Sequence, residues 1–124
     1  MNNANWMTSI INIVRSDLPD LTNRQMGIML SVGLSRGPHT VRGLAERIGV
    51  SKPVVTRALN KLTALGYLQR QRDCDDGRNI FIEMTDAGAE FLDNLNQLIG
   101  SADRDHEPIR RPHAVQPVGA IAAL

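Results

Sequence analysis

Trp6, Met7, Ile10, Ile11, Val14 and Leu18 recur at helical spacing, which predicts an amphipathic first helix over about residues 5–17, ended by Leu18-Pro19-Asp20. Thr22 reads as the N-cap of a second helix. Gln25 completes a capping box with it, and Leu21 and Met26 take the two positions of a hydrophobic staple. Ile28, Met29, Leu30, Val32 and Leu34 continue that helix to about residue 34, and Ser35-Arg36-Gly37-Pro38 forms a turn.

The next segment is the most informative. Thr40 caps a short helix through Ile48, with Val41, Leu44, Ala45 and Ile48 on its inner face. Gly49 supplies a left-handed residue that ends it, and Val50 tucks inward. Ser51 caps a further helix over 51–65, where Pro53 is early enough for its missing N–H to do no harm. Val54, Val55, Ala58, Leu59, Leu62 and Leu65 line one side, and Gly66 stops it. Helix, glycine-containing turn, helix is the form of a helix-turn-helix. The opposite side of the second helix carries Lys52, Pro53, Thr56, Arg57, Asn60 and Lys61, short polar or cationic groups that can reach base edges and phosphates in a major groove. A solvated helix face is the plainer reading of the same residues.

Tyr67–Arg72 then reads as a strand with Asn79–Met84 as its antiparallel partner, the two joined by the turn-rich Asp73-Cys74-Asp75-Asp76-Gly77-Arg78 as a hairpin wing. Thr85 caps a last helix with Ala87, Phe91, Leu92, Leu95, Leu98 and Ile99 on one side and Gly100 at its end. The expected fold class is mainly α with a small β-hairpin wing, a winged helix-turn-helix. Its expected parts are a dimerisation helix over 1–20, a DNA-binding region over 21–85, a second dimerisation helix over 86–100 and a Pro-containing tail over 101–124. That tail, ending in the apolar Val118–Leu124, is expected to be loosely ordered or docked on a partner subunit. There are no internal repeats.

Composition narrows the classes. Hydrophobic residues make up 42% of the 124, enough for one packed domain with little chain left for a second. No apolar run approaches the roughly 20 residues of a membrane helix, and the first residues lack the basic start of a secretory signal. A single cysteine excludes an intramolecular disulfide, so the chain is expected to be cytoplasmic. The net charge of +1 hides a segregation. Residues 36–72 hold Arg36, Arg42, Arg47, Lys52, Arg57, Lys61, Arg70 and Arg72 against Glu46 alone, a local balance of +7. Residues 73–107 carry ten acidic side chains against Arg78 and Arg104, a balance of −8. A basic block of that density suits a polyanion-binding surface, because each neutralised phosphate releases condensed counterions. An ordinary solvated helical surface would carry the same charge, so charge alone leaves both open.

Four segments together resemble the multiple-antibiotic-resistance regulator (MarR) family of bacterial winged-helix repressors. They are Leu21-Thr22-Asn23-Arg24-Gln25, Leu44-Ala45-Glu46-Arg47-Ile48-Gly49-Val50-Ser51, Leu62-Thr63-Ala64-Leu65-Gly66-Tyr67-Leu68, and Asp73–Arg78 leading to Met84-Thr85-Asp86-Ala87-Gly88. The resemblance covers about residues 6–99. It implies a homodimer on a pseudo-palindromic operator in double-stranded DNA, with recognition helices in successive major grooves. It also implies an arginine near the wing tip that enters the minor groove; Arg78 matches that arginine and Asp76 the acidic residue two positions before it. Family members usually end in one or two long helices that interlock with the first helix. This chain has one, over 86–99, and the region that would hold a small-molecule effector is shortened. Gly77 stands where a basic residue is common in the wing.

The candidate DNA-binding residues are therefore Ser51, Lys52, Pro53, Thr56, Arg57, Asn60, Lys61 and Arg78. Arg57 is the candidate base reader, since a recognition-helix arginine can bind a guanine edge bidentately. Lys52 and Lys61 suit phosphates. Ser51 is a helix cap, and a helix N-terminus can also hold a phosphate. Arg78 suits the negative potential of a narrow minor groove, or else is a wing charge neutralised by Asp75 or Asp76. Cys74 lies among aspartates that disfavour a thiolate, which argues against a redox sensor. Asp73–Gly77 fails as a calcium loop, because Arg78 and Met84 stand where glycine and glutamate are required. His39, His106 and His113 lack metal-ligand spacing, though His39 could touch a phosphate weakly. No phosphate loop, His-Glu-x-x-His or nucleophile elbow occurs, so neither an enzyme nor a cofactor is expected. Two other functions fit the same residues: a winged-helix protein-interaction module, and a DNA-binding protein of replication or phage control without ligand sensing. RNA binding fits less well, because no exposed aromatic platform for stacking bases is evident.

Overall fold

In a computed structural model of the chain, residues 2–75, 77 and 79–104 are described, and they fall into two units. One comprises residues 21–93, and the other joins residues 2–20 to the chain from Asn94 onward.

Helix α1 (Asn3–Arg15) starts two residues before the expected position because Asn2 caps it, its Oδ1 accepting from the Asn5 N–H at 2.9 Å. The Ser16 hydroxyl donates to the Ile13 carbonyl at 2.6 Å and closes the helix before Pro19 is reached. Of its residues only Ala4 and Ser9 are buried. Trp6, Met7, Ile10, Ile11 and Val14 are exposed, Val14 by 71%. The apolar stripe read from the sequence exists, and no described residue buries it.

The second unit is built from α2 (Asn23–Leu34), α3 (Val41–Ile48), α4 (Lys52–Ala64), the strands β1 (Leu68–Arg72) and β2 (Ile80–Met84), and the first turns of α5 (Asp86–Arg104). The capping box of α2 is complete: Thr22 Oγ1 accepts from the Gln25 N–H at 3.1 Å, and Gln25 Oε1 accepts from the Thr22 N–H at 2.9 Å. Thr40 caps α3 through the Gly43 N–H, and Gly49 leaves that helix at φ 72°, where a Cβ would be strained. Both Gly49 and Val50 then donate their N–H groups to the Ala45 carbonyl. Two helices are thereby joined with two residues outside regular helix, Gly49 and Val50, before the Ser51 cap.

Ile28, Met29 and Val32 of α2, Leu44 and Ala45 of α3, and Val55, Ala58, Leu59 and Leu62 of α4 are buried. With Leu68, Ile82 and Phe91 they form an aliphatic core, each large side chain contributing about 1.5–3 kcal/mol by leaving water. Leu30 and Leu34, expected to follow the α2 stripe, are exposed instead. The strands pair antiparallel from Leu68 opposite Met84 to Arg72 opposite Ile80. The chain at His39 adds a bridge to β2, the Ile82 N–H donating to the His39 carbonyl at 2.8 Å.

Thr85 caps α5, accepting from the Gly88 N–H at 3.0 Å. Phe91 and Leu95 are buried on the expected face, and only the first turn departs from it, with Ala87 exposed and Gly88 buried. A Cβ on Gly88 would lie 2.1 Å from the Tyr67 carbonyl oxygen, so only glycine allows the first turn of α5 to lie against that backbone. Tyr67 and Phe91 stack with ring centroids 4.7 Å apart. Burial raises the Tyr67 pKa above its ordinary value, so the phenol stays neutral at physiological pH. At its far end α5 passes through Gly100 and continues to Arg104. A lone helix glycine costs only about 1 kcal/mol relative to alanine, which is not enough to stop a helix of this length. The tail expected over 101–124 therefore begins as helix, and the rest of it lies outside the described residues. Among the described residues no helix is long and apolar enough to cross a membrane.

Candidate nucleic-acid interface

The two sides of α4 are chemically opposed. Val55, Ala58, Leu59 and Leu62 are buried, which turns Lys52, Pro53, Thr56, Arg57, Asn60 and Lys61 to the surface, and all six are exposed. Among the described residues no acidic side chain pairs with Lys52, Arg57 or Lys61. Three uncommitted cations along a 13-residue helix form a ridge of positive charge with Thr56 and Asn60 between them. An α-helix with side chains is about 10–12 Å across, the width of a B-DNA major groove.

Ser51 corrects one sequence expectation. It holds the N-cap position of α4 in extended conformation, yet its side chain makes no capping hydrogen bond. The reason lies in the backbone: the Val54 and Val55 N–H groups both go to the Ser51 carbonyl, at 3.1 and 3.2 Å, and Pro53 has no N–H to offer. The exposed hydroxyl is thus left available at the entrance to α4. His39 is corrected in the other direction. Its Nε2 lies 3.1 Å from the Ser35 carbonyl, a contact that engages the ring nitrogen locally.

The fold also brings up residues that reading along the chain did not connect. Arg57 borders a cleft of about 230 Å³, and its other lining residues are Thr22, Arg24, Gln25, Val54 and Ala58. Arg24, more than thirty residues earlier in the chain, thereby joins the cationic surface. In the wing, Arg72 Nη1 donates to the Gly77 carbonyl and ties the turn to β1. Asp73 accepts from the Asp75 N–H at 2.9 Å, and its own N–H donates to the Asn79 carbonyl at 2.9 Å. Arg70 Nη2 donates to Asn60 Oδ1 at 2.8 Å and links the wing to α4. Strand alternation was the signal available for Arg70, because it shares a sheet face with Leu68, the first inward residue of β1. Arg78, the expected wing-tip contact, and Asp76 lie outside the described residues. Cys74 is exposed and free.

Residues 20–79 match the family model described as the MarR family. A curated relative, the uncharacterised HTH-type transcriptional regulator YwhA of Bacillus subtilis, is 24% identical over 98 residues, covering 76% of this chain and 70% of the relative. In five of the curated relatives, the matched stretch spans between 44% and 70% of the relative's own length. Among solved structures, the transcriptional regulator Tm0710 from Thermotoga maritima superposes with a TM-score of 0.69 at 25% identity, over 81% of this chain and 70% of that one. The S. aureus MepR–DNA complex gives 0.68 at 17% identity, over 81% and 79%.

Proposed function

We propose that the chain, which matches the MarR family over residues 20–79, is a homodimeric repressor of that family that binds double-stranded DNA through α4 and the wing. The observation that carries this reading is the exposed face of α4, on which Lys52, Arg57 and Lys61 stand without acidic partners among the described residues. Arg57 is the base reader, with the forked guanidinium that suits guanine O6 and N7. Lys52 and Lys61 neutralise phosphates, joined by the free Ser51 hydroxyl and by Arg24 across the cleft. Thr56 and Asn60 complete the surface that enters the major groove, Pro53 sets the helix start, and Arg78 follows the minor groove. The DNA-bound MepR structure shares this fold and supports the same use of it.

The apolar face of α1 supplies the second half of the reading. Five large apolar side chains exposed on one 13-residue helix form a surface that a second copy of the chain would cover. A dimer places two recognition helices about one DNA turn apart, as a near-palindromic site demands. The protein acts by binding and not by catalysis, in the cytoplasm where its operator lies. The test is fluorescence anisotropy against fragmented genomic duplex DNA at two salt concentrations. Steeply salt-dependent binding, enriched for a near-palindromic site, supports the reading. A folded protein that binds no duplex at low salt contradicts it and favours a protein-docking module.

A further inference from the structure

We propose that Arg70, outside the recognition helix, is a positioning residue that fixes which end of the Asn60 amide meets the DNA, and so sets base preference at one position of each half-site. This rests on the reading of α4 as the DNA-binding helix. The register of the wing places Leu68, Arg70 and Arg72 on one sheet face, opposite Met84, Ile82 and Ile80. Leu68 and Ile82 are both buried, so that face is the one turned to the body of the unit, and Arg70 reaches α4 from it. Its Nη2 meets Asn60 Oδ1 at 2.8 Å. A guanidinium has donors only, so the oxygen of the amide must face Arg70 and the NH2 must take the opposite side.

The consequence is chemical. An unconstrained asparagine reads adenine with both ends of its amide, accepting from N6 and donating to N7. With Oδ1 engaged by Arg70, Asn60 presents donors. Donors suit the acceptor-rich edges of guanine (O6 and N7) or thymine (O4), and they are mismatched to the N4 amino group of cytosine. Both side chains are exposed in the free protein, where water competes for the bond. Docking into a groove removes that water and strengthens the link where orientation matters.

Selection from a randomised duplex library, with the full chain as wild type, Arg70→Met and Asn60→Asp, tests this. Wild type is expected to select an acceptor-bearing base at one position per half-site, disfavouring cytosine by about tenfold. Asn60→Asp keeps the link to Arg70 but presents only acceptor oxygens, so preference at that position should move to the amino-bearing cytosine or adenine. Arg70→Met releases the amide, and discrimination there should fall to about two- or threefold, other positions being unchanged. Thermal melts of the two variants, both at exposed sites, should match wild type. If Arg70→Met lowers affinity equally for every sequence and flattens the salt dependence, Arg70 is a phosphate contact and the proposal fails. An unchanged profile for Asn60→Asp overturns it as well. A wild-type protein that selects a site while both variants select the same site defeats only this proposal, whereas one that binds no duplex defeats the DNA-binding reading too.

Discussion

Helices α1 and α4 are both 13 residues long and both amphipathic, yet the chain uses them in opposite ways. In α4 the apolar side is buried, with Val55, Leu59 and Leu62 fully inside, and the polar side carries cations that have no acidic partner among the described residues. In α1 the large apolar side chains are exposed, and small Ala4 and Ser9 are the buried ones. A stripe of hydrophobic residues in the sequence therefore predicts the helix that carries it, without predicting that the stripe is buried. The unit of residues 21–93 closes its own core around α4, while α1 keeps its stripe exposed, the surface proposed above for a second copy.

The contrast can be broken from either side. Leu59→Ala opens a cavity in a fully buried site and should lower unfolding free energy by about 2–5 kcal/mol in chemical denaturation, whatever the protein concentration. Ile10→Glu, on the exposed face of α1, should instead shift the protein to monomer in size-exclusion chromatography with light scattering. Operator affinity should fall by at least about 100-fold in that variant, since each half-site would then be bound alone. If Ile10→Glu leaves the oligomeric state unchanged, the α1 face has another role. Gly88→Ala sets a methyl group against the Tyr67 carbonyl and should cost about 1–3 kcal/mol of stability, read as a lowered melting temperature. Arg57→Ala should cost about 1–3 kcal/mol of operator binding and relax preference at one base pair. The smallest effect is expected from Lys52→Ala, which should weaken binding to all sequences alike and reduce the salt slope by about one unit per subunit.

Most of the helix-turn-helix was legible in the sequence because its signals are local. The Thr22–Gln25 capping box, the Thr40 cap and the left-handed Gly49 each act within a few residues, and each is present as the sequence implies. The departures arise where a local signal competes with something stronger. Gly100 looks like a helix stop, but it is outweighed by the helical residues on either side of it in α5. Ser51 looks like a capping side chain, but its own carbonyl takes the N–H groups that the hydroxyl would have accepted. Ala87 fits the inner face by spacing, yet in the first turn of α5 it is Gly88 that packs on the Tyr67 backbone and Ala87 that is exposed.

The proposed binding surface divides in the same way. Lys52, Thr56, Arg57, Asn60 and Lys61 could be named from helical periodicity alone, since burial of Val55, Leu59 and Leu62 fixes what the other side must hold. Arg24 and Arg70 could not, because each reaches α4 from another element of the fold. Arg70 in particular counted only as one charge in a basic block. Strand alternation places it on the face of Leu68, but its contact with Asn60 joins two elements that no local sequence pattern connects.

The most direct test of the central claim is anisotropy titration of the wild-type protein, Arg57→Ala and Lys52→Ala against a selected near-palindromic duplex and a scrambled duplex of equal length, each at two salt concentrations. The account predicts that wild type prefers the selected duplex, that Arg57→Ala loses most of that preference, and that Lys52→Ala weakens both duplexes equally while flattening the salt dependence. Salt-insensitive binding, or equal losses on both duplexes for both variants, would contradict the assignment of α4 as the helix that reads DNA.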